Sequence, residues 1–319
     1  MKRIILSGST GFIGNNLKNF FLKKGYEVYG LDKKNKITRI FNHEYNKNSK
    51  YNFIKIDIST KSSSLKVQEK LKKLKFDSFW HFAANSDISK GSEDINIEFK
   101  DTFLTTKNSL EISKNLGIKK FIFASSSAIF GKVNKKISEN YGPCLPESNY
   151  GAMKLASEGL ISTFSNFFDK IFIARFPNVV GFDNTHGLIF DMIKKSKKTN
   201  QVQVLGDGYQ KKPYIHVDHL IEILFKIYKL KSRNKTNIYN IGPDDDGITV
   251  RDIIKQLSNL SIFADKSFAY ESKSIGWRGD IPKYSYNVDK LKKDLKIRKL
   301  NTSQLAISKT ISQIKDKIS

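Results

Sequence analysis

The chain has 319 residues and a formal net charge of +25, which comes from 56 lysines and arginines against 31 acidic residues. Only seven of the basic residues are arginine, and the lysines are scattered, whereas contacts to nucleic acids favour clustered arginines with aromatic residues. We therefore expect no specific nucleic-acid partner.

The single cysteine, Cys144, excludes an intrachain disulfide and indicates a reducing cytoplasm. No apolar run approaches the ~20 residues of a membrane span, and Met1 leads directly into a predicted strand, so we expect neither a span nor a signal peptide.

The first predicted elements are a strand, a glycine-rich turn and a helix. Residues 2–6 form a short apolar run that is typical of a buried parallel strand. Gly8, Gly11 and Gly14 follow at a spacing of three, which suits a tight turn, a close backbone approach to a pyrophosphate and close packing of the next helix. That helix, predicted over residues 12–24, directs backbone N–H groups and the positive end of its dipole at phosphates. The pattern predicts a dinucleotide-binding turn.

The second predicted strand, residues 27–31, leads into Asp32. A carboxylate at this position hydrogen-bonds the adenosine ribose hydroxyls of a dinucleotide, and it repels a 2′-phosphate. The pattern therefore favours NAD over NADP, although Lys33 and Lys34 beside the carboxylate act against this preference.

Two residues of a later predicted helix indicate proton transfer. Tyr150 and Lys154 are four residues apart in a helical stretch that begins at Asn149, so their side chains share one helix face. A tyrosine pKa of about 10 makes a poor base at neutral pH, but we expect the Lys154 ammonium and the positive nicotinamide ring of an oxidised cofactor to favour the phenolate. Tyr150 could then take a hydroxyl proton while a hydride leaves the same carbon. Taken alone, the two residues could equally be a surface Tyr/Lys pair.

The strand before this helix, predicted within residues 120–131, ends in a cluster of serines. In a doubly wound sheet the ligand lies at the carboxyl ends of the strands, where a hydroxyl can hydrogen-bond the reacting oxygen. Because strands alternate with helices up to residue 176, we expect an α/β fold, a Rossmann-like doubly wound parallel sheet with a smaller C-terminal substrate-binding lobe. The expected NAD-binding domain is 1–176 plus about 214–242, and the lobe with its C-terminal helix is about 177–213 and 244–319.

Five motifs in this order resemble those of the extended short-chain dehydrogenases/reductases of the NAD-dependent epimerase/dehydratase family. They are GSTGFIG at 8–14, KIDIS at 55–59, HFAAN at 81–85, SSSAIFG at 125–131 and YGAMK at 150–154. The resemblance covers nearly the whole chain, and it implies that the catalytic residues are Ser126, Tyr150 and Lys154. It also implies that NAD is the cofactor and is held by Gly8, Gly11, Phe12, Ile13, Gly14, Asp32, Asp57, Ile58, Phe82, Ala83, Ala84, Tyr150 and Lys154.

The second half of the chain is similar to the UDP-sugar 4-epimerases of this family. The matching segments are RFPNVVG at 175–181, YIHVDHL at 214–220 and WRGDIP at 277–282. The resemblance implies a nucleotide-sugar substrate, with UDP favoured, which is contacted by Ser126, Ser127, Asn178, Lys212, Arg278 and Asp280. Lys212 stands where the family usually has an arginine, and it lacks the bidentate fork of that residue. Phe130 replaces a more usual tyrosine, and we expect this change to remove a hydroxyl that faces the sugar.

The implied reaction oxidises the sugar transiently at C4 to a 4-keto intermediate and reduces it again on the opposite face. The related 4,6-dehydratases need an Asp-Glu acid–base pair directly after the catalytic serine or threonine, and Ser127 and Ala128 stand there. A 4-keto-sugar reductase would use the same catalytic residues, but it usually prefers NADPH, which Asp32 disfavours. A non-catalytic cofactor-binding protein is a further alternative, although the chain retains Tyr150 and Lys154.

The resemblance also implies a homodimer, because members of this family often pair through the helices that here contain residues 96–115 and 150–168. An apolar stripe would serve either this interface or the core; it consists of Phe99, Phe103, Leu104 and Leu110. We expect His81 to be a core residue and His216 to orient backbone. The five histidines are scattered and show no Cys/His spacing, so we expect no metal site.

Overall fold

The structure is a computed structural model that describes residues 2–35, 49–85, 88–133, 135–273 and 281–318. The strands of these segments are β1 (Arg3–Ser7), β2 (Glu27–Asp32), β3 (Tyr51–Lys55), β4 (Ser78–His81), β5 (Lys120–Ser126), β6 (Lys170–Phe176), β7 (Asn178–Val180), β8 (Gln201–Val204), β9 (Lys211–Lys212), β10 (Tyr214–His216), β11 (Thr236–Asn240), β12 (Ile248–Thr249) and β13 (Ser267–Tyr270). The α-helices are α1 (Phe12–Lys23), α2 (Lys61–Leu71), α3 (Ile88–Glu93), α4 (Ile95–Glu98), α5 (Thr105–Asn115), α6 (Asn149–Thr163), α7 (Leu188–Ser196), α8 (Val217–Lys229), α9 (Val250–Leu257), α10 (Asp289–Leu295) and α11 (Ser303–Ile318).

A parallel sheet of seven described strands forms the centre, in the order β3-β2-β1-β4-β5-β6-β11. Chain order therefore reverses between β1 and β4, which is where a crevice for a ligand opens at the carboxyl ends of a doubly wound sheet. The predicted fold class is confirmed.

The two faces of the sheet are buried under separate sets of helices, as the apolar strand sequences require. Side chains alternate along each strand, so Ile4 and Leu6 join a core cluster under α1 and α8, whereas Ile5 joins a second cluster under α2, α5 and α6. Phe21 of α1 fills the first cluster against Trp80, with ring centroids 4.9 Å apart. Gly25, at φ +81°, follows the C-cap residue Lys24, so the helix ends close to residue 24, where the sequence predicts its end.

A long helical run connects β4 to β5 and packs against α6. It contains α4, a π-helix over Phe99–Leu104, and α5. A π-helical turn inside an α-helical run is rare and is often found at functional sites. Leu110 of the predicted apolar stripe is buried in the sheet core, whereas Phe99 is 45% exposed and stacks on Phe103.

A third apolar cluster lies away from the central sheet. It is lined by α7, α9 and α11, and by the strands β8 and β10, which pair with β13 and β7. Buried side chains of residues 281–300, such as Val288 and Leu291, pack instead with the first cluster of the sheet. Among the helices of the described segments, none combines the length and the apolar character of a membrane span.

Candidate active site

The glycine turn after β1 has the geometry of a cradle for a pyrophosphate. Gly8 has φ +71°, and a Cβ atom at this position would lie 2.7 Å from the backbone of Phe82 and Ala83. A Cβ at Gly14 would overlap the carbonyl oxygen of Gly8. At Gly11, by contrast, an added Cβ would meet only that same oxygen, at 3.3 Å. The backbone of the turn is therefore packed against other atoms at Gly8 and Gly14, whereas space remains beside Gly11. This space, at the N-terminus of α1, suits the diphosphate of a dinucleotide.

Asp32 lies at the end of β2 and is held against this turn. Its Oδ2 accepts a hydrogen bond of 3.1 Å from the backbone N–H of Thr10, and its Oδ1 accepts one of 3.2 Å from that of Lys34. The Lys33 ammonium is already paired with Asp101, at 2.5 Å. The carboxylate is thus fixed beside the glycine turn, and the side chain of the neighbouring Lys33 is engaged elsewhere.

Asp57 and Ile58 follow β3, at the same edge of the sheet. The Asp57 carboxylate accepts a hydrogen bond of 3.0 Å from the backbone N–H of Ser59. Burial alone would raise the pKa of Asp57, but the Ser59 hydrogen bonds and the charges of Lys100 and Lys33 lower it overall. Ile58 is buried, and its carbonyl accepts a hydrogen bond from the Asn108 amide.

The segment after β4 forms the other wall of the crevice. Phe82, Ala83 and Ala84 are half-buried, and the backbone N–H of Phe82 donates to the carbonyl of Ser7 at 3.2 Å. Across the crevice, Phe12 is buried at the start of α1, and Ile13 is partly buried beside it.

His81, the last residue of β4, is a core residue as expected. Its Nδ1 lies 2.7 Å from the Ser7 hydroxyl and its Nε2 lies 2.9 Å from the Thr106 hydroxyl. Burial lowers the pKa of His81 well below its ordinary value, and the Lys154 charge acts in the same direction. His216 also behaves as expected, because its Nδ1 accepts the backbone N–H of Asp218 and so caps α8.

Ser126 and Tyr150 meet where β5 and α6 approach each other. Ser126 ends β5, and Tyr150 lies in the first turn of α6, which the Ser148 hydroxyl caps. A Cβ at Gly151 would overlap the carbonyl oxygen of Ala128, so only a glycine allows this close approach. The Ser126 hydroxyl consequently lies close enough to the Tyr150 hydroxyl to act on the pKa of that phenol, which it lowers.

Lys154 lies one turn further along α6 and is 2% exposed. Its Nζ donates a hydrogen bond of 2.7 Å to the Ala124 carbonyl and lies 5.7 Å from the centre of the Tyr150 ring. Burial lowers its pKa to about 8, although the carboxylates of Glu98 and Glu158 oppose the shift. The amine is therefore close to its titration point in weakly alkaline solution.

The pKa of Tyr150 differs from the expectation. Burial raises it, the charge of Glu98 raises it further, and only the nearby Ser126 hydroxyl acts to lower it. Lys154 is not among the groups that shift this pKa, so the expected lowering by Lys154 is not met. The positive nicotinamide ring remains as the source of a stabilised phenolate.

The structure describes four of the six predicted substrate residues, Ser126, Ser127, Asn178 and Lys212. The Ser127 hydroxyl donates to the Tyr284 hydroxyl at 2.9 Å. Asn178 is exposed, and its strand β7 pairs with β10, where Asn178 lies opposite Tyr214. Lys212 is half-buried and precedes Tyr214 by two residues. Arg278 and Asp280, also predicted to contact substrate, lie outside the described residues.

The expectation for Phe130 is wrong. Its side chain is 1% exposed and packs edge-on against Tyr141 and Tyr286, while the Arg175 guanidinium lies 5.2 Å above its ring. A phenylalanine here fills the core and does not face a sugar.

Two buried groups near the catalytic pair were not predicted from the sequence. Glu98 is fully buried, and its carboxylate accepts hydrogen bonds from Thr102 and Asn85. Glu158 forms a buried ion pair with Arg175, at 2.6 Å. An arginine inside the apolar strand β6 was a usable signal for a buried partner, whereas nothing local distinguishes Glu98 from a solvated glutamate. In the described segments no group of three or more His, Cys, Asp or Glu residues could hold a metal ion.

Comparisons with known proteins agree with this geometry. Residues 4–242 match the family described as the NAD dependent epimerase/dehydratase family. The chain is 28% identical to a UDP-glucuronate 4-epimerase of Thermodesulfobacterium geofontis over an alignment of 265 residues. This alignment covers 80% of each of the two chains. The structure is similar to a crystal structure of a UDP-galactose 4-epimerase, with a TM-score of 0.82 and 26% identity over 99% of this chain and 100% of that chain. It is also similar to the UDP-glucuronic acid 4-epimerase from Bacillus cereus in complex with UDP-glucuronic acid and NAD, with a TM-score of 0.81 and 22% identity over 99% of both chains.

Proposed function

This chain belongs to the NAD dependent epimerase/dehydratase family, and we propose that it is a nucleotide-sugar 4-epimerase with NAD as its cofactor. The observation that carries the proposal is the meeting of Ser126, Tyr150 and Lys154 at the carboxyl end of β5, beside the glycine turn. The relatives that are named for 4-epimerisation of UDP-sugars support the reaction and favour UDP as the nucleotide.

The residues of the site suit proton transfer at a sugar hydroxyl. The Tyr150 oxygen takes the proton of the 4-hydroxyl group, and the Ser126 hydroxyl, which lies close to Tyr150, orients the same substrate oxygen. Lys154 holds positive charge near the tyrosine while its Nζ is fixed on the Ala124 carbonyl. Bound NAD supplies the acceptor and later the donor of the hydride. Tyr150 returns the proton when the 4-keto sugar is reduced on its other face, so neither proton nor cofactor is consumed.

A dehydratase reaction is not supported by the residues after Ser126. Ala128 has no acid or base, and its backbone N–H donates to the Ser126 hydroxyl at 3.2 Å. Ser127 is bonded to Tyr284 and is not an acid at neutral pH. Elimination of water needs a proton donor and an acceptor at these places, so we assign epimerisation.

The substrate contacts are proposed for Ser126, Ser127, Asn178 and Lys212 on the described part of the cleft. Lys212 would place its ammonium near a diphosphate, which it binds as a point charge. The division of the chain into a NAD-binding domain and a substrate-binding lobe is likewise a proposal, supported by the apolar cluster that lies apart from the sheet.

We also propose that the protein is a homodimer that pairs through the α4–α5 run and α6. Ile95 and Phe99 are 51% and 45% exposed on the first of these, and Phe167, shortly after α6, is 40% exposed. Such large apolar side chains on neighbouring helices are typical of a helix–helix interface. Light scattering coupled to gel filtration should give twice the chain mass, and Phe99→Glu should reduce it toward one chain.

Proton NMR of the purified protein with a panel of UDP-sugars, without added cofactor, tests the assignment. We expect the anomeric signal of the C4 epimer to appear with at least one sugar. Tyr150→Phe should lose turnover by about 10²–10⁴-fold, the usual size of a general acid–base contribution, and should keep its NAD. Tyr29→Phe is the matched control, since the Tyr29 hydroxyl bonds Glu27 away from the cleft. A silent panel that becomes active only with 4-keto sugars and NADPH would instead identify a reductase, and bound NAD with no turnover on any sugar would identify a non-catalytic protein.

A further inference from the structure

Glu98 is a buried carboxylate that the proposed reaction does not use. It is 0% exposed and ends α4, directly before the π-helix. Its Oε1 accepts a hydrogen bond of 2.7 Å from the Asn85 amide, and its Oε2 accepts one of 2.6 Å from the Thr102 hydroxyl. A carboxylate held by two neutral donors inside a protein has given up much of its hydration, so its position calls for a physical reason.

The surroundings of Glu98 place it between the cofactor wall and the catalytic helix. Asn85 closes the HFAAN segment that lines the crevice. On the other side, a Cβ at Gly91 would overlap Oε1 of Glu98, so the carboxylate lies directly against the α3 backbone. The Gly91 carbonyl in turn accepts a hydrogen bond of 2.9 Å from the Asn149 amide, one residue before Tyr150. The carboxylate is therefore fixed relative to the first turn of α6.

Three titratable groups of the described residues interact electrostatically with Glu98. Its charge acts on Tyr150 and Lys154 of α6, and the charge of Asp101 in the π-helix acts on Glu98. Asp101 is directed outward to Lys33. Glu98 is therefore the carboxylate placed to balance the Lys154 ammonium on the side of Tyr150, while Glu158 does so from the Arg175 side.

We propose that Glu98 is a positioning residue that controls the protons of the catalytic pair, keeping Lys154 charged and Tyr150 protonated until an oxidised cofactor is bound. The role of the pair in catalysis rests on the proposed function, whereas its protonation can be measured without turnover. Burial raises the pKa of Glu98, whereas its hydrogen bonds with Thr102 and Asn85 and the charge of Lys154 act to lower it. When Glu98 is ionised, Lys154 charged and Tyr150 neutral, the cluster has no net charge. Forming the phenolate then requires an added positive charge, which the nicotinamide ring supplies. A phenolate formed beside this carboxylate is also a stronger base toward the sugar hydroxyl.

The first test follows the ionisation of Tyr150 in the NAD-saturated protein. The phenolate absorbance of Tyr150→Phe is subtracted from that of the wild type over a range of pH, so that the other tyrosines cancel. In a Glu98→Gln background the same difference should titrate at a pH lower by about one unit, the lower end of the effect of a nearby charge. Because this needs bound cofactor but no turnover, it remains valid if no UDP-sugar is a substrate.

The second test is the pH profile of kcat/KM for the epimerised sugar. Both limbs should move to lower pH in Glu98→Gln, because the carboxylate raises the pKa of Tyr150 and opposes the lowering at Lys154. Glu93→Gln, at an exposed position of α3, should leave both limbs in place. Glu98→Asp keeps the charge and should stay close to the wild type.

A purely structural role for Glu98 makes different predictions. Thr102→Val removes one of its hydrogen bonds and keeps its charge, so it should leave the phenolate titration close to that of the wild type. Equal effects of Thr102→Val and Glu98→Gln, or an unchanged phenolate titration in Glu98→Gln, would overturn the proposal. If Glu98→Gln does not fold, Glu98→Asp and Thr102→Val can still overturn the proposal, since it requires both to titrate like the wild type.

Discussion

Lys154 should make the stability of the fold depend on pH in a way that can be measured apart from catalysis. Its pKa is lowered from 10.5 to about 8 in the folded protein, with burial as the main cause. Between these two values the unfolded chain binds a proton at this amine that the folded chain has lost. Stability therefore rises with pH across this window, and the folded protein carries the full cost of the buried charge below about pH 8.

The size of the effect follows from linkage. Since one pKa unit corresponds to about 1.4 kcal/mol, the contribution of Lys154 to the free energy of unfolding should increase by about 1 kcal/mol from about pH 7 to about pH 9. Tyr150 acts in the opposite sense, because its pKa is raised by burial. The contribution of protonated Tyr150 to the free energy of unfolding is lost only as the pH rises above about 10, the ordinary pKa of tyrosine. A comparison that stops at about pH 9 therefore isolates the lysine.

Urea unfolding of the wild type and of Lys154→Met at several pH values measures this contribution. The free energy of unfolding of the wild type should rise relative to that of the variant by about 1 kcal/mol over the window. Both proteins are compared at equal NAD occupancy, because the nicotinamide adds positive charge near the amine. Lys119→Met, at an exposed lysine, is the matched control and should run parallel to the wild type. If Lys154→Met also runs parallel, the buried lysine does not titrate in this range and the reasoning is wrong.

Gly14→Ala should abolish retention of NAD, because the new Cβ overlaps the carbonyl oxygen of Gly8 and must displace the turn; fluorescence of released cofactor measures this. Gly159→Ala is its counterpart in the interior of α6, where nothing lies within 4 Å of an added Cβ, and should raise stability by about 1 kcal/mol with NAD retained. Glu158→Gln should cost about 3–5 kcal/mol in urea unfolding because it leaves the buried guanidinium of Arg175 unpaired. Replacing both partners, Glu158→Met with Arg175→Met, should cost less than Glu158→Gln alone, and a larger cost for the double variant would contradict that account.

The steric features of the glycine turn were readable from the chain because they are local in sequence. The spacing of Gly8, Gly11 and Gly14 belongs to one strand, turn and helix, and the structure shows the close approaches that this spacing predicted. The spacing of Tyr150 and Lys154 is likewise a property of one helix. Steric and helical rules act over a few residues, so a sequence pattern is enough to state them.

Other properties of the site depend on residues that are far apart in the chain. The sequence predicted that Phe130 had lost a contact to the sugar, but its side chain is buried against Tyr141 and Tyr286. The contact with Tyr286 exists only after the C-terminal segment has packed. The sequence around Glu98 is typical of a surface glutamate, but its side chain is fully buried against α3, and its charge acts on Tyr150.

The ionisation of the catalytic pair was decided in the same way. The sequence correctly placed an ammonium one turn from a phenol, and from this we expected a lowered pKa for Tyr150. A pKa depends on desolvation and on every charge within a few ångströms, and the fold buries the pair and adds Glu98 beside it. Local spacing therefore identified which two groups share a helix face, whereas the environment that sets their protons was created only by the packing of distant segments around them.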